Sequence, residues 1–168
     1  MASRDASPSM LNLPDGSSFK MGIIVSRWNS DITDALLQGA IATLVQAGVV
    51  ESNIEVIHVP GSFELPWGAR QILQAGKKDA VICLGCIIEG ETRHDEYIAS
   101  AVANGIMQLG LMSGTPVIFG VLTTHDEAQA KERAGGMHGN KGAEAAATAL
   151  QMASIRTGGA AAKKRIGY

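Results

Sequence analysis

Four short apolar, β-rich runs, each followed by a stretch with helical spacing, constrain this chain more than any other feature. The runs are Gly22-Ile23-Ile24-Val25-Ser26, Ile54-Glu55-Val56-Ile57-His58-Val59, Ala80-Val81-Ile82-Cys83-Leu84 and Val117-Ile118-Phe119-Gly120-Val121-Leu122. Between and after them, the spacing predicts helices over residues 31–47, 63–76, 93–112, 126–134 and 141–157. In the first, Ile32, Leu36, Ala40 and Leu44 recur every four residues and Gly48 ends the pattern. In the third, Ile98, Ala101, Val102, Gly105, Ile106 and Leu109 form one stripe. Strands alternating with helices demand right-handed crossovers and a parallel sheet buried on both faces. The expected fold is therefore α/β: a three-layer α/β/α sandwich with a flavodoxin-like, parallel four-stranded sheet.

With 168 residues the chain can build one domain with a substantial core. That domain is expected over residues 21–157, behind a flexible leader at 1–20 rich in Ser, Asp and Pro and ahead of a loose tail at 158–168. Hydrophobic residues at 46 % and charged residues at 18 % argue against disorder. A net charge of −2 gives no general attraction to nucleic acid or to an anionic membrane, so an anionic ligand needs a local site. No apolar run reaches the roughly 20 residues of a membrane span, and the start lacks a secretory core, so a cytoplasmic protein is expected. Cys83 and Cys86 read as buried strand residues on opposite faces rather than as a redox or half-zinc pair.

Ligands of an open parallel sheet bind beyond the carboxyl ends of its strands. Four segments lie there: Arg27-Trp28-Asn29, Pro60-Gly61-Ser62-Phe63-Glu64, residues 85–94 and Thr123-Thr124-His125. Trp28 after the first strand suits either a core plug or a stacking platform for a flat heterocycle. Phe63 shares that ambiguity, while Phe119, inside a strand, defaults to core. Glu64 fits a helix start electrostatically and could equally accept from ligand hydroxyls. Thr92 with Asp95 three residues on reads as a helix N-cap, leaving first-turn N–H groups to bind phosphate or carboxylate. His94 falls in that turn, where a second positive charge is disfavoured and a neutral imidazole can take a proton; it reads as a base or as a surface histidine. Thr124 and Glu127 read as a capping box. Arg133, ending that helix, fits dipole complementation better than a phosphate clamp on this reading alone.

Together these segments resemble the lumazine synthase family. The resemblance rests on Arg27-Trp28-Asn29, Val59-Pro60-Gly61-Ser62-Phe63-Glu64-Leu65-Pro66 and Gly85-Cys86-Ile87-Ile88-Glu89-Gly90-Glu91-Thr92-Arg93-His94. Pro116-Val117-Ile118-Phe119-Gly120-Val121-Leu122-Thr123, then Glu132-Arg133-Ala134-Gly135 through Gly139-Asn140-Lys141-Gly142, complete it in order.

The resemblance implies condensation of a ribitylamino-pyrimidine with 3,4-dihydroxy-2-butanone 4-phosphate to a lumazine, the penultimate step toward riboflavin, without metal or cofactor. It implies His94 as general acid/base and Trp28 stacked on the pyrimidine. Ser62, Phe63 and Glu64 would line the ribityl pocket, with Cys86, Ile87 and Ile88 beside the ring. Glu91 and Thr92 would hold the sugar phosphate through backbone N–H groups, the Glu91 carboxylate turned away. Phe119 would come from a neighbouring subunit and Arg133 from either, with Lys141 a weaker contact.

It also implies a homo-oligomer, a pentamer or a sixty-subunit icosahedral shell, with sites between subunits. The 135–142 link, without inserted residues, mildly favours the shell, and the alanine-rich last helix permits close packing around a five-fold axis. Three positions depart from the usual pattern: Glu89 replaces a basic residue, Arg93 a proline and His125 an acidic residue. Competing readings are a pentameric riboflavin synthase of the same fold, a flavin binder and a non-catalytic shell protein. The flavin binder would need a glycine-bearing phosphate loop after the first strand, and Arg27-Trp28-Asn29-Ser30 has none.

Overall fold

The computed structural model describes residues 12–158. Its elements run β1 (Met21–Ser26), α1 (Ser30–Gln46), β2 (Ile54–Val59), α2 (Leu65–Ala75), β3 (Ala80–Ile88), α3 (His94–Ser113), β4 (Val117–Thr124), α4 (Glu127–Glu132), β5 (Ala134–Gly136), β6 (Gly139–Asn140) and α5 (Lys141–Arg156). The main sheet is parallel with order β2-β1-β3-β4, so the central strands are β1 and β3. This is the expected three-layer α/β/α arrangement.

Side-chain alternation divides the core between the two faces of the sheet. On one face Ile23, Val25, Ile82, Leu84 and Cys86 pack with Leu36, Ala40 and Leu44 of α1 and with Ala146, Ala149, Leu150 and Ala153 of α5. On the other, Ile24, Val81, Cys83 and Ile87 pack with Leu65, Ala69 and Ile72 of α2 and with Val102 and Ile106 of α3. Cys83 and Cys86 thus belong to opposite faces, both free and buried. Burial pushes their thiols up to about 12 and about 11, which removes the thiolate that redox or metal chemistry needs.

The alanines of α5 are used inside the subunit. Gly142 lets α5 touch α1: a Cβ there would lie 1.9 Å from the Leu36 carbonyl oxygen. Helix α3 is the one left half-covered, with Tyr97, Met107, Leu111 and Met112 exposed.

Several expectations need correction. β3 continues four residues past Leu84, because Cys86 and Ile87 still find apolar cover on both sides. Thr92 does not cap α3; Arg93 occupies the N-cap position and no side chain accepts from the first turn. Asp126, not Thr124, caps α4 by accepting from the Gln129 N–H at 2.7 Å, while the Thr124 hydroxyl donates to the Asp126 carbonyl. A small β5–β6 hairpin forms where a plain link was expected.

Residues 12–20, expected as leader, run along the body. Phe19 is buried in the core, and the Gly16 N–H donates to the Ala47 carbonyl at 2.7 Å. Phe19, with Leu13 packed against the same core, anchors them, since burying a phenylalanine is worth about 1.5–3 kcal/mol. The remainder of the expected leader, 1–11, and the tail from 159 lie outside the described residues. Among the described residues no helix is long and apolar enough to cross a membrane.

Candidate active site

The sequence places its unusual residues where three strands end. The last N–H groups of the β1 segment continue the ladder toward β2: Arg27 donates to the Val59 carbonyl at 2.9 Å and Trp28 to the Pro60 carbonyl at 3.1 Å. The chain then reverses into α1 at Asn29. Trp28 is left 67 % exposed, so it is no core plug. Its indole lies over Gly61, where a Cβ would come within 3.1 Å of the ring and push it aside by a few tenths of an ångström.

After β2, Gly61 leads into a 3₁₀ turn over Ser62–Glu64 and then α2. The Glu64 carboxylate accepts from the Gly61 N–H at 3.0 Å, which fixes the turn and with it Phe63 and Ser62. Phe63 is 60 % exposed. The Ser62 hydroxyl is buried and has no hydrogen-bond partner among the described residues. It sits against Gly85 of β3, where an added Cβ would lie 2.6 Å from the oxygen. A buried hydroxyl left unpaired costs about 1–3 kcal/mol; Ser26 of β1 shares this condition, but only Ser62 lines the cleft described next.

β3 supplies Cys86, Ile87 and Ile88, followed by the loop that enters α3 at His94. These groups meet in one cleft of about 970 Å³, lined among others by Trp28, Ser62, Phe63, Glu64, Ile88, Thr92 and His94. Its other walls are Asn29, Cys86, Ile87, Gly90 and, from α3, Asp95, Tyr97, Ile98 and Ala101. The wall is mainly apolar with a few polar side chains among the lining, as is usual for a small-molecule site. Glu91 does not line the cleft. Because no side chain caps α3, its first-turn N–H groups have no side-chain partner beside His94, and the helix dipole favours an anion there.

Two of the unusual positions answer each other. The Glu89 N–H donates to the Thr124 carbonyl at 2.8 Å, extending the β3–β4 ladder, and the Glu89 carboxylate pairs with His125 Nδ1. That hydrogen bond and the charge behind it raise the His125 pKa above its ordinary value. The acid and the base have exchanged strands relative to the pattern the resemblance implies, so the lip of the site stays balanced.

Besides Glu91, three expected site residues are not in this cleft. Phe119, Arg133 and Lys141 line a second groove of about 630 Å³ along the open edge of β4. Phe119 is 42 % exposed there rather than core, because β4 is the edge strand and nothing among the described residues covers that side. Arg133 donates from a terminal guanidinium nitrogen to the Gln129 carbonyl at 3.0 Å, completing the end of α4. Lys141 Nζ is held by the Glu144 carboxylate at 2.7 Å.

Asn29, Tyr97, Ile98 and Ala101 are cleft residues that sequence reasoning did not single out. Helical spacing could have found three of them: 94, 97, 98 and 101 share one face of α3. Among the described residues no group of three or more His, Cys, Asp or Glu side chains is placed to hold a metal ion.

Comparison with known proteins agrees with the geometry. Residues 18–157 match the family described as 6,7-dimethyl-8-ribityllumazine synthase. The chain is 50 % identical over 144 residues to a protein of that name from Porphyromonas gingivalis, covering 86 % of this chain and 89 % of the relative. A namesake from Cytophaga hutchinsonii is 51 % identical over 140 residues, covering 83 % and 88 %. One from Parabacteroides distasonis is 49 % identical over 144 residues, covering 86 % and 90 %.

Proposed function

The chain belongs to the 6,7-dimethyl-8-ribityllumazine synthase family, and from that premise we propose how its cleft carries the reaction. The enzyme is a transferase of riboflavin biosynthesis. It condenses 5-amino-6-(D-ribitylamino)uracil with 3,4-dihydroxy-2-butanone 4-phosphate to 6,7-dimethyl-8-ribityllumazine, phosphate and water. The observation that carries the site reading is the single cleft that gathers an exposed indole, an unpartnered buried hydroxyl and a histidine at an uncapped helix start.

In this reading the pyrimidine stacks on Trp28, with Cys86, Ile87 and Ile88 along its edge. The ribityl chain runs toward Ser62, Phe63 and Glu64, where the Ser62 hydroxyl gains its missing partner. The sugar phosphate lies at the start of α3, against the backbone of Glu91 and Thr92. Its dianion is held by N–H dipoles, a local site of the kind that a chain of net charge −2 must supply.

The pyrimidine amine attacks the ketone of the sugar phosphate, and loss of water gives an imine. Phosphate then leaves, and closure of the second ring with loss of another water gives the lumazine. Every step moves a proton or expels a leaving group. His94 relays the protons, worth about 10²–10⁴-fold. Holding the two reactants in register can contribute up to about 7–11 kcal/mol, which makes positioning the larger effect.

We further propose that the active site lies between two copies of the chain. Phe119, Arg133 and Lys141 of one copy, on the open edge of β4, would close the cleft of the next. The exposed apolar face of α3 and the separation of the two grooves support this assembly. A pentamer with cyclic symmetry satisfies a head-to-tail contact of this kind, and twelve pentamers would make the sixty-subunit shell. We place the body of the domain at residues 21–157, with residues 12–20 packed along it, and the protein in the cytoplasm, with soluble small molecules as its substrates.

The test supplies both substrates to the purified protein and follows lumazine absorbance and released phosphate. One phosphate per lumazine is expected. Lumazine supplied alone is expected to persist; its conversion to riboflavin would instead identify a riboflavin synthase.

A further inference from the structure

Asn29 is the one non-glycine residue with a positive φ among the described residues, at φ 59° and ψ 48°. It stands at the N-cap of α1, a position where asparagine ordinarily turns its side chain back to accept from the helix. Here it makes no such bond. Its side-chain nitrogen instead donates across the cleft floor to the Cys86 carbonyl at 3.2 Å, 57 residues away in sequence. The helix start is served by the Asn29 carbonyl, which accepts from the Ile32 and Thr33 N–H groups at 2.9 and 3.0 Å.

Two costs are therefore accepted at one residue: a left-handed backbone on a side chain other than glycine, and a forgone cap. Strain of this kind persists where the surroundings enforce it, and it concentrates at functional sites. The surroundings are informative. The β1–β3 ladder stops at the Val25–Leu84 pair. Asn29 carries the contact between these two strands beyond that point, through its side chain alone. A carbonyl can only accept, so the Cys86 oxygen fixes which way the amide faces. Asn29 is the immediate neighbour of Trp28, and both line the cleft with Cys86 and Ile87.

We propose that Asn29 is a positioning residue for the heterocycle. Its left-handed turn sends the chain into α1 while leaving the Trp28 indole out over the cleft. Its amide ties that platform to the Cys86 carbonyl, and so sets the width of the slot between the indole and the β3 wall. The slot accepts one flat heteroaromatic ring in register with its neighbours. The inference rests on the reading of Trp28 as the stacking surface.

The test uses three full-length variants and two ligands. N29G keeps the backbone conformation and removes the amide. N29D keeps size and cap competence but sets an acceptor against the Cys86 carbonyl. W28A removes the platform. Binding of 6,7-dimethyl-8-ribityllumazine is followed by its fluorescence, and inorganic phosphate by its inhibition of turnover. Thermal midpoints are recorded beside both.

N29G and N29D are expected to weaken lumazine binding about five- to tenfold, the equivalent of one lost hydrogen bond. Inhibition by phosphate should change less than about twofold, and the thermal midpoint should fall by no more than about 2–4 °C, the worth of one hydrogen bond in a domain this long. The Michaelis constant for the pyrimidine should rise more than kcat falls.

Lumazine affinity unchanged in N29G and N29D but lowered in W28A would overturn the role of Asn29 and leave the platform standing. Unchanged affinity in all three would remove the platform and the inference with it. Parallel loss of both ligands with a larger fall in thermal midpoint would assign the amide to the fold instead. Should N29D not fold, N29G carries the comparison.

Discussion

Substituting Gly85 by alanine tests the geometry of the site where the margins are narrowest. The added Cβ would stand 2.6 Å from the Ser62 hydroxyl oxygen and 2.9 Å from a methyl of Leu65, against an ordinary contact beginning at 3.4 Å. Ser62 must therefore retreat by about 0.8 Å, since β4 pairs with the β3 backbone at Gly85, β1 pairs with it up to the preceding residue, and close-packed interiors transmit such strain. Overpacking of this size costs about 1–3 kcal/mol of stability. For a domain this long that is a fall of roughly 2–12 °C in thermal midpoint.

The functional effect is expected to be larger in proportion. A displacement near 1 Å of a group that positions substrate can cost up to about 100-fold in turnover. The reading places the ribityl hydroxyls against Ser62, so kcat/KM for the ribitylamino-pyrimidine should fall by about 10- to 100-fold. The Michaelis constant for the sugar phosphate should stay within about twofold, because the anion is held at the other end of the cleft. Gly76→Ala is the control: its Cβ would meet nothing closer than 3.8 Å, and its backbone is extended. Steady-state kinetics with each substrate varied in turn, and a melting curve for each variant, make the measurement. A Gly85→Ala enzyme that melts lower but keeps its pyrimidine kinetics would refute the placement of the polyol chain at Ser62.

Three other expectations follow from the same geometry. His94→Ala should slow turnover by about 10²–10⁴-fold yet leave measurable activity, because positioning survives the loss; a folded variant with no lumazine formation at all would contradict this. Arg133→Ala should raise the Michaelis constant for the sugar phosphate about 10- to 100-fold, the worth of a hydrogen bond to a charged group. If Arg133 serves the neighbouring cleft, hetero-oligomers co-expressed from H94A and R133A chains should regain activity, since about a quarter of randomly assembled interfaces unite both intact residues; no recovery would mean that Arg133 serves its own copy.

The fourth concerns pH. The Glu89 carboxylate raises the His125 pKa, so the pair's stabilisation is full below the ordinary imidazole range and fades as pH climbs through the raised value. An NMR titration should place His125 above its ordinary midpoint, and E89Q should lower it. Because both side chains are largely exposed, the melting temperature should hardly respond, and an unmoved midpoint in E89Q would dissolve the pairing.

The sheet was legible in the sequence because its signal is redundant. Each strand is a β-rich apolar run, and each crossover has its own helical stripe. Helix ends were harder to read. Thr92 and Thr124 both look like caps, yet Arg93 and Asp126 occupy those positions, since competing side chains one or two residues apart are decided by how the preceding strand delivers the chain.

Trp28, Ser62, Phe63, Glu64, Cys86, Ile87, Ile88, Thr92 and His94 could be named before any coordinates, and they share one cleft. Asn29 could not, because its role lies in a backbone angle and a bond spanning 57 residues. Periodicity alone makes Phe119 a core residue by default, because it marks a strand without revealing that the strand is an edge; the expectation that Phe119 serves a neighbouring subunit came from the resemblance. The swapped pair Glu89 and His125 looked like two separate oddities until β3 and β4 brought them side by side.

The most direct measurement is a structure of the assembled protein with 6,7-dimethyl-8-ribityllumazine and inorganic phosphate bound. The account predicts the ring flat on the Trp28 indole, the polyol reaching Ser62, and the phosphate at the start of α3, with Phe119 of an adjoining copy closing the cleft. A ring seated away from Trp28, or a phosphate remote from residues 90–94, would contradict it.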